Sequence, residues 1–386
     1  MQLGIISDCI HVKTKEGYAA SEVHIFVRQM EALASHFSSV VICCPFKENE
    51  FKKEVTAYKN NNISFVELPE VGGNSFFSKL KLFITIPTWM SAFKKIDKQT
   101  DIVYQRFPNN LNIPGFFYFY FKKKKVFATY TGTWQNVAKE PLSYSFQKWL
   151  LRKFFRGPIW VYSNEKKLAH NIFGGFSPSY SLNEWNEETI QVNSRIEKLR
   201  SNNISSLKLI SVGALIDYKN QQYILDTCLQ LKEKQIPFSL VIVGDGPLKT
   251  QYENFITENN LKDNIKMIGS LNFSQLRDLY RQNDFIVQAP LSEGFGKVPV
   301  EGFFHGLIPV INNVTMASYL TGNNERGYLF NASNKNSLLE TLENIFFHPQ
   351  NLHKLVLNGR EFAKKLTLES WASEYFNKII SFFEKK

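Results

Sequence analysis

Cysteine is scarce in this chain, and the four that occur, Cys9, Cys43, Cys44 and Cys228, share no CxxC or Cys/His spacing. That argues against a disulfide framework and against a structural zinc site, and leaves them as small buried apolar residues. No apolar run approaches the roughly 20 residues a helix needs to span a bilayer. The opening Met1-Gln2-Leu3-Gly4-Ile5-Ile6-Ser7 lacks a charged leader, a long apolar stretch and a small-residue cleavage pattern, so a cytoplasmic protein is expected. Fixed-period repeats are missing, and the low-complexity content is limited to Lys122-Lys123-Lys124-Lys125. Acidic residues run short in the first half alone. Residues 1–185 hold 24 Lys and Arg against 14 Asp and Glu, a net +10, whereas residues 186–386 hold 22 against 21, a net +1. A field this one-sided points to an anionic partner for the first half. Because the basic stretches match no recognised reading module, nucleic acid is set aside.

What is present is material for two cores. A chain of 386 residues with 44% hydrophobic content exceeds what one core supports. Short β-rich runs alternate with helical patterns, the signature of parallel sheets with crossover helices. Strands are expected at residues 3–7, 40–45, 63–68, 101–107, 126–130 and 159–163, then at 207–212, 238–243, 265–268, 284–288, 308–312 and 328–330. Helices are expected at 220–234, 248–259, 274–283, 336–347 and, from the apolar spacing of Trp371, Tyr375, Phe376, Ile379, Ile380 and Phe383, at 368–383. The Gly-Gly and Ser-Pro signals of Phe173 to Tyr180 and the polar stretch Asn183 to Asn203 read as a connection. The expected organisation is a first Rossmann-like domain at 1–185, a linker at 186–204, a second Rossmann-like domain at 205–367, and a terminal helix at 368–386 that crosses back to the first. The fold class is α/β, two doubly wound domains facing a central cleft, with ligands beyond the carboxyl ends of the strands.

The segment Ser292-Glu293-Gly294-Phe295-Gly296-Lys297-Val298-Pro299-Val300-Glu301-Gly302 follows one such strand and leads into a helix. Gly294 and Gly296 allow close backbone approach, and Pro299 suits a first helical turn, so amides and the positive helix end can face an anion. The same letters fit a plain turn flanked by solvated carboxylates. Glu293 and Glu301, however, have the spacing of the EX7E motif, and the phrase resembles the "EGFG…EG" block of glycosyltransferase family four. Three further segments fall in that family's order. Ile210 to Asn220 resembles the loop that presents basic residues to the donor phosphates, with Gly213 and Lys219 in place. Val241 to Leu248, with Gly244, Asp245, Gly246 and Pro247, resembles the second strand-to-loop block, and Gly327-Tyr328-Leu329-Phe330 the late strand. Asp245 fits a helix cap equally well. One departure is plain: where the family commonly has an arginine, this chain has Ala214, so Lys219, the helix amides and Lys297 are left to hold the diphosphate.

In the first half the resemblance is looser. Gly17 and Tyr18 follow the first strand where relatives often carry a glycine loop facing the acceptor, although Gly17 also fits a simple turn. Relatives often have a histidine after the strand at 126–130; here the chain reads Tyr130-Thr131-Gly132, and these three, with Arg106, are the acceptor-side candidates. Three segments, Phe76 to Lys95, Phe116 to Lys125 and Tyr144 to Arg156, interleave aromatics with Lys and Arg. Either the aromatics fill a core, or the segments lie in a membrane interface with basic heads on anionic lipid.

The resemblance implies a GT-B enzyme, retaining and without a metal or other cofactor, that moves a sugar from a UDP- or GDP-sugar to an acceptor hydroxyl, with a lipid-linked saccharide of cell-surface polysaccharide synthesis as the expected acceptor. Lys219 and Glu293 would serve the chemistry and Glu301 the ribose, at an anionic inner membrane face. Two other readings fit the same fold, a non-catalytic binding subunit and a sugar-nucleotide epimerase.

Overall fold

Leu3, Ile5 and Ile6 leave no solvated side on the first strand, which marks it as the centre of a parallel sheet covered on both faces. The computed structural model describes residues 1–15, 17–47, 54–70, 76–135, 140–163 and 165–384, apart from the side chains of 76–83. Glu16, next to Gly17, and the first eight side chains of the Phe76 to Lys95 segment therefore lie outside the described residues.

The chain divides into two compact units, residues 1–179 with 368–386 and residues 180–367. In the first, β1 (Gln2–Ile6), β4 (Ser39–Phe46), β6 (Ile63–Pro69), β7 (Ile102–Phe107), β8 (Lys125–Tyr130), β9 (Ile159–Tyr162) and β10 (Ile172–Gly175) form one parallel sheet in the order β10-β9-β8-β7-β1-β4-β6. A small antiparallel sheet of β2 (Val12–Lys13), β3 (Ala19–Ser21) and β5 (Thr56–Ala57) stands beside it. The parallel sheet separates two apolar layers. Helices α2 (Phe76–Gln99), α3 (Asn112–Phe121) and α4 (Leu142–Phe154) pack on one face through Trp89, Phe93, Phe116, Phe119, Leu150 and Leu151. On the other face lie α1 (His24–Ala34) and α14 (Leu368–Glu384), with Trp160 of β9 stacked on Tyr375 at 4.0 Å.

In the second unit β11 (Leu207–Val212), β12 (Phe238–Val243), β13 (Ile265–Gly269), β14 (Phe285–Gln288), β15 (Ile308–Asn312) and β16 (Tyr328–Phe330) form a parallel sheet in the order β13-β12-β11-β14-β15-β16. The connecting helices are α7 (Gln221–Glu233), α8 (Lys249–Glu258), α9 (Phe273–Gln282), α10 (Lys297–Phe304), α11 (Ala317–Thr321), α12 (Ser337–Phe347) and α13 (Leu352–Lys364).

The linker expected at 186–204 is not one. Residues Leu182–Glu187 (α5) and Thr189–Arg200 (α6) are helical and belong to the second unit. Val192, Ile196 and Leu199 stand four and three residues apart, a helical stripe thin enough to be lost among polar neighbours, and all three are buried. A capping box between Ser181 and Glu184 starts the pair. Glu188, at their junction, is buried beneath Arg277, Arg281 and His305. Burial pushes its carboxyl up, but hydrogen bonds from His305, Arg281 and Arg277 outweigh that and hold it well below the usual range. His305 is thus a structural residue, its other ring nitrogen 2.9 Å from the Tyr180 hydroxyl. The Gly-Gly of the supposed connection is the end of the edge strand β10.

His11 gives a pH prediction. It is buried between the Cys9 carbonyl (2.8 Å) and the Tyr58 hydroxyl (3.0 Å), and burial lowers its pKa to about 4. A base depressed from an unfolded value of about 6.5 stabilises the fold fully above that value and less as pH falls toward 4. Between pH 7 and 5 the loss is about 2 kcal/mol. Five of the six tryptophans lie in the first unit, so urea unfolding followed by tryptophan fluorescence should show that loss in the wild type and a much smaller one in His11→Gln.

Candidate active site

Three loops leave the carboxyl ends of β11, β12 and β14 and meet in the second unit. After β11 the chain turns through Gly213, Ala214 and Leu215 into a single 3-10 turn, Asp217–Lys219, closed by Asn220 in the left-handed region. After β12 it turns through Gly244, Asp245, Gly246 and Pro247. These two loops touch backbone to backbone: Leu215 N–H donates to the Asp245 carbonyl at 3.0 Å and Leu248 N–H to the Leu215 carbonyl at 3.2 Å. A Cβ on Gly244, whose φ is +147°, would fall 1.9 Å from the Gly213 oxygen, and one on Gly246 2.4 Å from the Leu215 oxygen. Only hydrogen fits at either place, which is the physical reason for glycine there.

The third loop, residues 289–296, is tied to the first by Leu291 N–H to the Tyr218 carbonyl at 2.8 Å and by an ion pair between Lys219 and Glu293. The two predicted catalytic residues, 74 positions apart, are thus in direct contact, with their side chains 18% and 30% exposed. Gly213 lies beside the Lys219 stem, its virtual Cβ 4.0 Å from Cδ. Gly294 N–H donates to the Glu293 carboxylate at 3.2 Å, and the Thr315 hydroxyl donates to the Glu293 carbonyl at 2.7 Å. Gly296, at φ +79°, precedes α10 and supplies no capping side chain. Lys297 and Val298 therefore open a helix with Pro299 in its first turn, the arrangement that suits an anion. Phe295 is buried beside them.

Glu301 sits on the same helix, 8% exposed, and accepts a 2.9 Å hydrogen bond from the Tyr280 hydroxyl. Burial, with the Glu301 charge beside it, raises the Tyr280 phenol far above its ordinary value, so Tyr280 stays a donor and fixes the carboxylate. Neither Tyr280 nor Thr315 was among the sequence candidates, since nothing in their neighbourhood marks them. Asp245 does not cap α8, whose first turn has no side-chain cap; its carboxylate accepts from Gly246 N–H at 2.8 Å.

The first unit gathers its candidates less tightly. Gly17, at φ +83°, lies in the turn between β2 and β3, with Gly17 N–H bonded to the Thr14 carbonyl at 2.9 Å and nothing within 4 Å of its virtual Cβ. Tyr18 beside it is exposed. Arg106 is the penultimate residue of β7; its guanidinium donates to the Gln29 side chain at 3.2 Å and lies over the Phe26 ring at 4.9 Å. Thr131 gives both its N–H (2.7 Å) and its hydroxyl (3.1 Å) to the Phe107 carbonyl. Tyr130 is not open to the acceptor side in this structure: its side chain is buried, in contact with Trp134, and its hydroxyl donates to Glu140 at 3.4 Å. Gly132 packs against that ring, with its virtual Cβ 3.2 Å away.

The sucrose-phosphate synthase of Thermosynechococcus elongatus superposes with a TM-score of 0.71 at 17% identity, and Anabaena Alr3699/HepE in complex with UDP with 0.70 at 13%; each match covers at least 99% of both chains. The class of fold is therefore GT-B. Residues 194–362, which lie within the second unit, match the family model described as "Glycosyl transferases group 1". An uncharacterized glycosyltransferase of Methanocaldococcus jannaschii, MJ1178, is 30% identical over 158 residues, 41% of this chain and 43% of that relative, so the match spans under half of the relative's length.

The loop contact yields a stability prediction. Gly244→Ala forces the first two loops apart and should cost about 2–4 kcal/mol in chemical denaturation followed by circular dichroism. Gly269→Ala, at φ +77° with nothing within 4 Å, should cost about 1 kcal/mol. Equal costs would show that the contact at Gly244 is not a constraint.

Proposed function

We propose that the chain is a retaining, metal-independent glycosyltransferase that moves a sugar from a UDP- or GDP-sugar to a hydroxyl of a saccharide acceptor, most simply a lipid-linked one in cell-surface polysaccharide synthesis at the inner membrane face. The observation that carries this reading is the meeting of Lys219 and Glu293 at the open N-terminus of α10, within the residues that match the glycosyl transferases group 1 model. UDP in the HepE complex supports a uridine donor.

On this reading the donor diphosphate lies against Gly294 to Val298. An ammonium has three donors; Glu293 takes one from Lys219, and the other two are directed to phosphate oxygens. Lys297, at the first position of α10, supplies the second cation that the family arginine would have given at Ala214. Glu301, oriented by Tyr280, accepts from the ribose hydroxyls, and Glu293 positions the donor sugar. In the transfer the bond from the anomeric carbon to the phosphate oxygen breaks while the acceptor oxygen bonds that carbon from the same face. The acceptor proton passes to the departing phosphate, whose charge the amides and Lys219 stabilise. On the first unit, Gly17, Tyr18, Arg106 and the backbone at Thr131 and Gly132 are the acceptor-side groups.

The test is acceptor-dependent release of free nucleotide from a panel of UDP- and GDP-sugars. Lys219→Ala should lower kcat/KM at least 100-fold, about 2.7 kcal/mol. Glu301→Gln should weaken nucleotide binding about tenfold, about 1.4 kcal/mol. Donor binding without any release would make the chain a binding subunit, and conversion of the donor without release would make it an epimerase.

A further inference from the structure

The aromatic and basic segments of the first unit divide sharply by face. Among the described residues of this unit twelve large hydrophobic side chains are exposed, and nine of them lie on α2, α3 and α4. None lies on α1 or α14, which cover the opposite face of the sheet. Charge divides the same way. Helices α2 to α4 contain eight Lys and Arg and one acidic residue, Asp97, whereas α1 and α14 contain two basic and four acidic residues. Asp97 is already neutralised by Lys124 at 3.2 Å.

Helix α4 concentrates the apolar part. Leu142, Phe146, Trp149 and Lys153 follow each other at spacings of four, three and four, one straight stripe on a helix whose core side is Gln147, Leu150 and Leu151. Leu142 is 88% exposed, Phe146 40% and Trp149 47%. Phe146 stacks on Trp149 with centroids 5.8 Å apart, and Phe154 meets Trp149 edge-on at 5.0 Å, so the rings form a pre-assembled ridge. The one charge this helix turns inward, Lys148, is matched by Glu140 at 2.7 Å. Lys153 stands on the stripe itself, and Lys122 and Lys123 are exposed beyond the end of α3, where Phe121 is also exposed. No helix among the described residues is long and apolar enough to cross a membrane.

We infer that the α2 to α4 face docks on a bilayer containing anionic phospholipid, with the Leu142, Phe146 and Trp149 ridge seated in the interface and the lysines on the headgroups. Rings at the interface and cations at phosphate level is the arrangement a basic, amphipathic surface adopts on such a membrane. This deepens the membrane-side acceptor proposed above, on which it rests for its biological sense, but vesicle binding can be measured without donor or acceptor.

The test is co-sedimentation of the full chain with phosphatidylcholine vesicles containing about a third phosphatidylglycerol. Binding should be seen there, fall at least tenfold on pure phosphatidylcholine, and weaken as salt rises. The triple variant Leu142→Ser, Phe146→Ser, Trp149→Ser should lose at least tenfold in partitioning, and Lys122→Glu with Lys123→Glu should lose the lipid-charge dependence. Nucleotide binding by both variants should match the wild type, which separates failure of this inference from misfolding and from failure of the donor reading. Quenching by brominated lipid should drop in Trp149→Phe. No binding to anionic vesicles, binding that the triple variant retains, or a wild-type dimer that the triple variant abolishes would each overturn the inference.

Discussion

Everything in the second unit's site depends on two backbones lying closer than side chains permit. Gly244 and Gly246 bring the loop after β12 against the loop after β11, and that contact fixes where the 3-10 turn carrying Lys219 must stand. From there the ammonium reaches Glu293 and so locks the loop that precedes α10. Three short loops are thereby held as one surface, with the open helix end at its centre and the Glu301 carboxylate fixed from behind by Tyr280. The arrangement spends little stability on charge, since the ion pair is part-exposed and such pairs are worth on the order of 1 kcal/mol or less. Its rigidity comes from the sheet and the glycines.

The first unit is organised differently. Its parallel sheet carries a conventional core on both faces, yet among the described residues only one helical layer carries exposed large hydrophobic side chains. Burial divides the aromatic segments helix by helix between core and exposed surface. Trp89 and Phe93 of α2 are core residues, α3 divides with Phe116 and Phe119 inward and Phe117 and Phe121 outward, and α4 turns Phe146, Trp149 and Phe154 out. Composition cannot make that division, because it depends on which side of each helix the sheet takes.

The polar connection around residue 190 and the buried Tyr130 show where sequence reasoning fails. A stripe of three apolar residues in α6 suffices for burial when a ready-made surface receives it, but three letters among polar neighbours carry almost no periodic signal. Tyr130 was a candidate because it stands where relatives often carry a histidine. Its ring turns inward because Trp134 and the Glu140 to Lys148 pair provide both a packing partner and a polar end for its hydroxyl.

The strands of the two parallel sheets other than β10, the helices α7, α8, α9, α12 and α14, and the glutamate-glycine phrase ahead of α10 were legible in the letters, because alternation, run length and glycine placement are local properties. The contact of Lys219 with Glu293, the support of Glu301 by Tyr280, the helical character of α5 and α6 and the exposed ridge of α4 were not. Each is a relation between residues far apart in the chain, or between a helix and the surface it happens to cover, and only the folded arrangement decides which atoms come within reach.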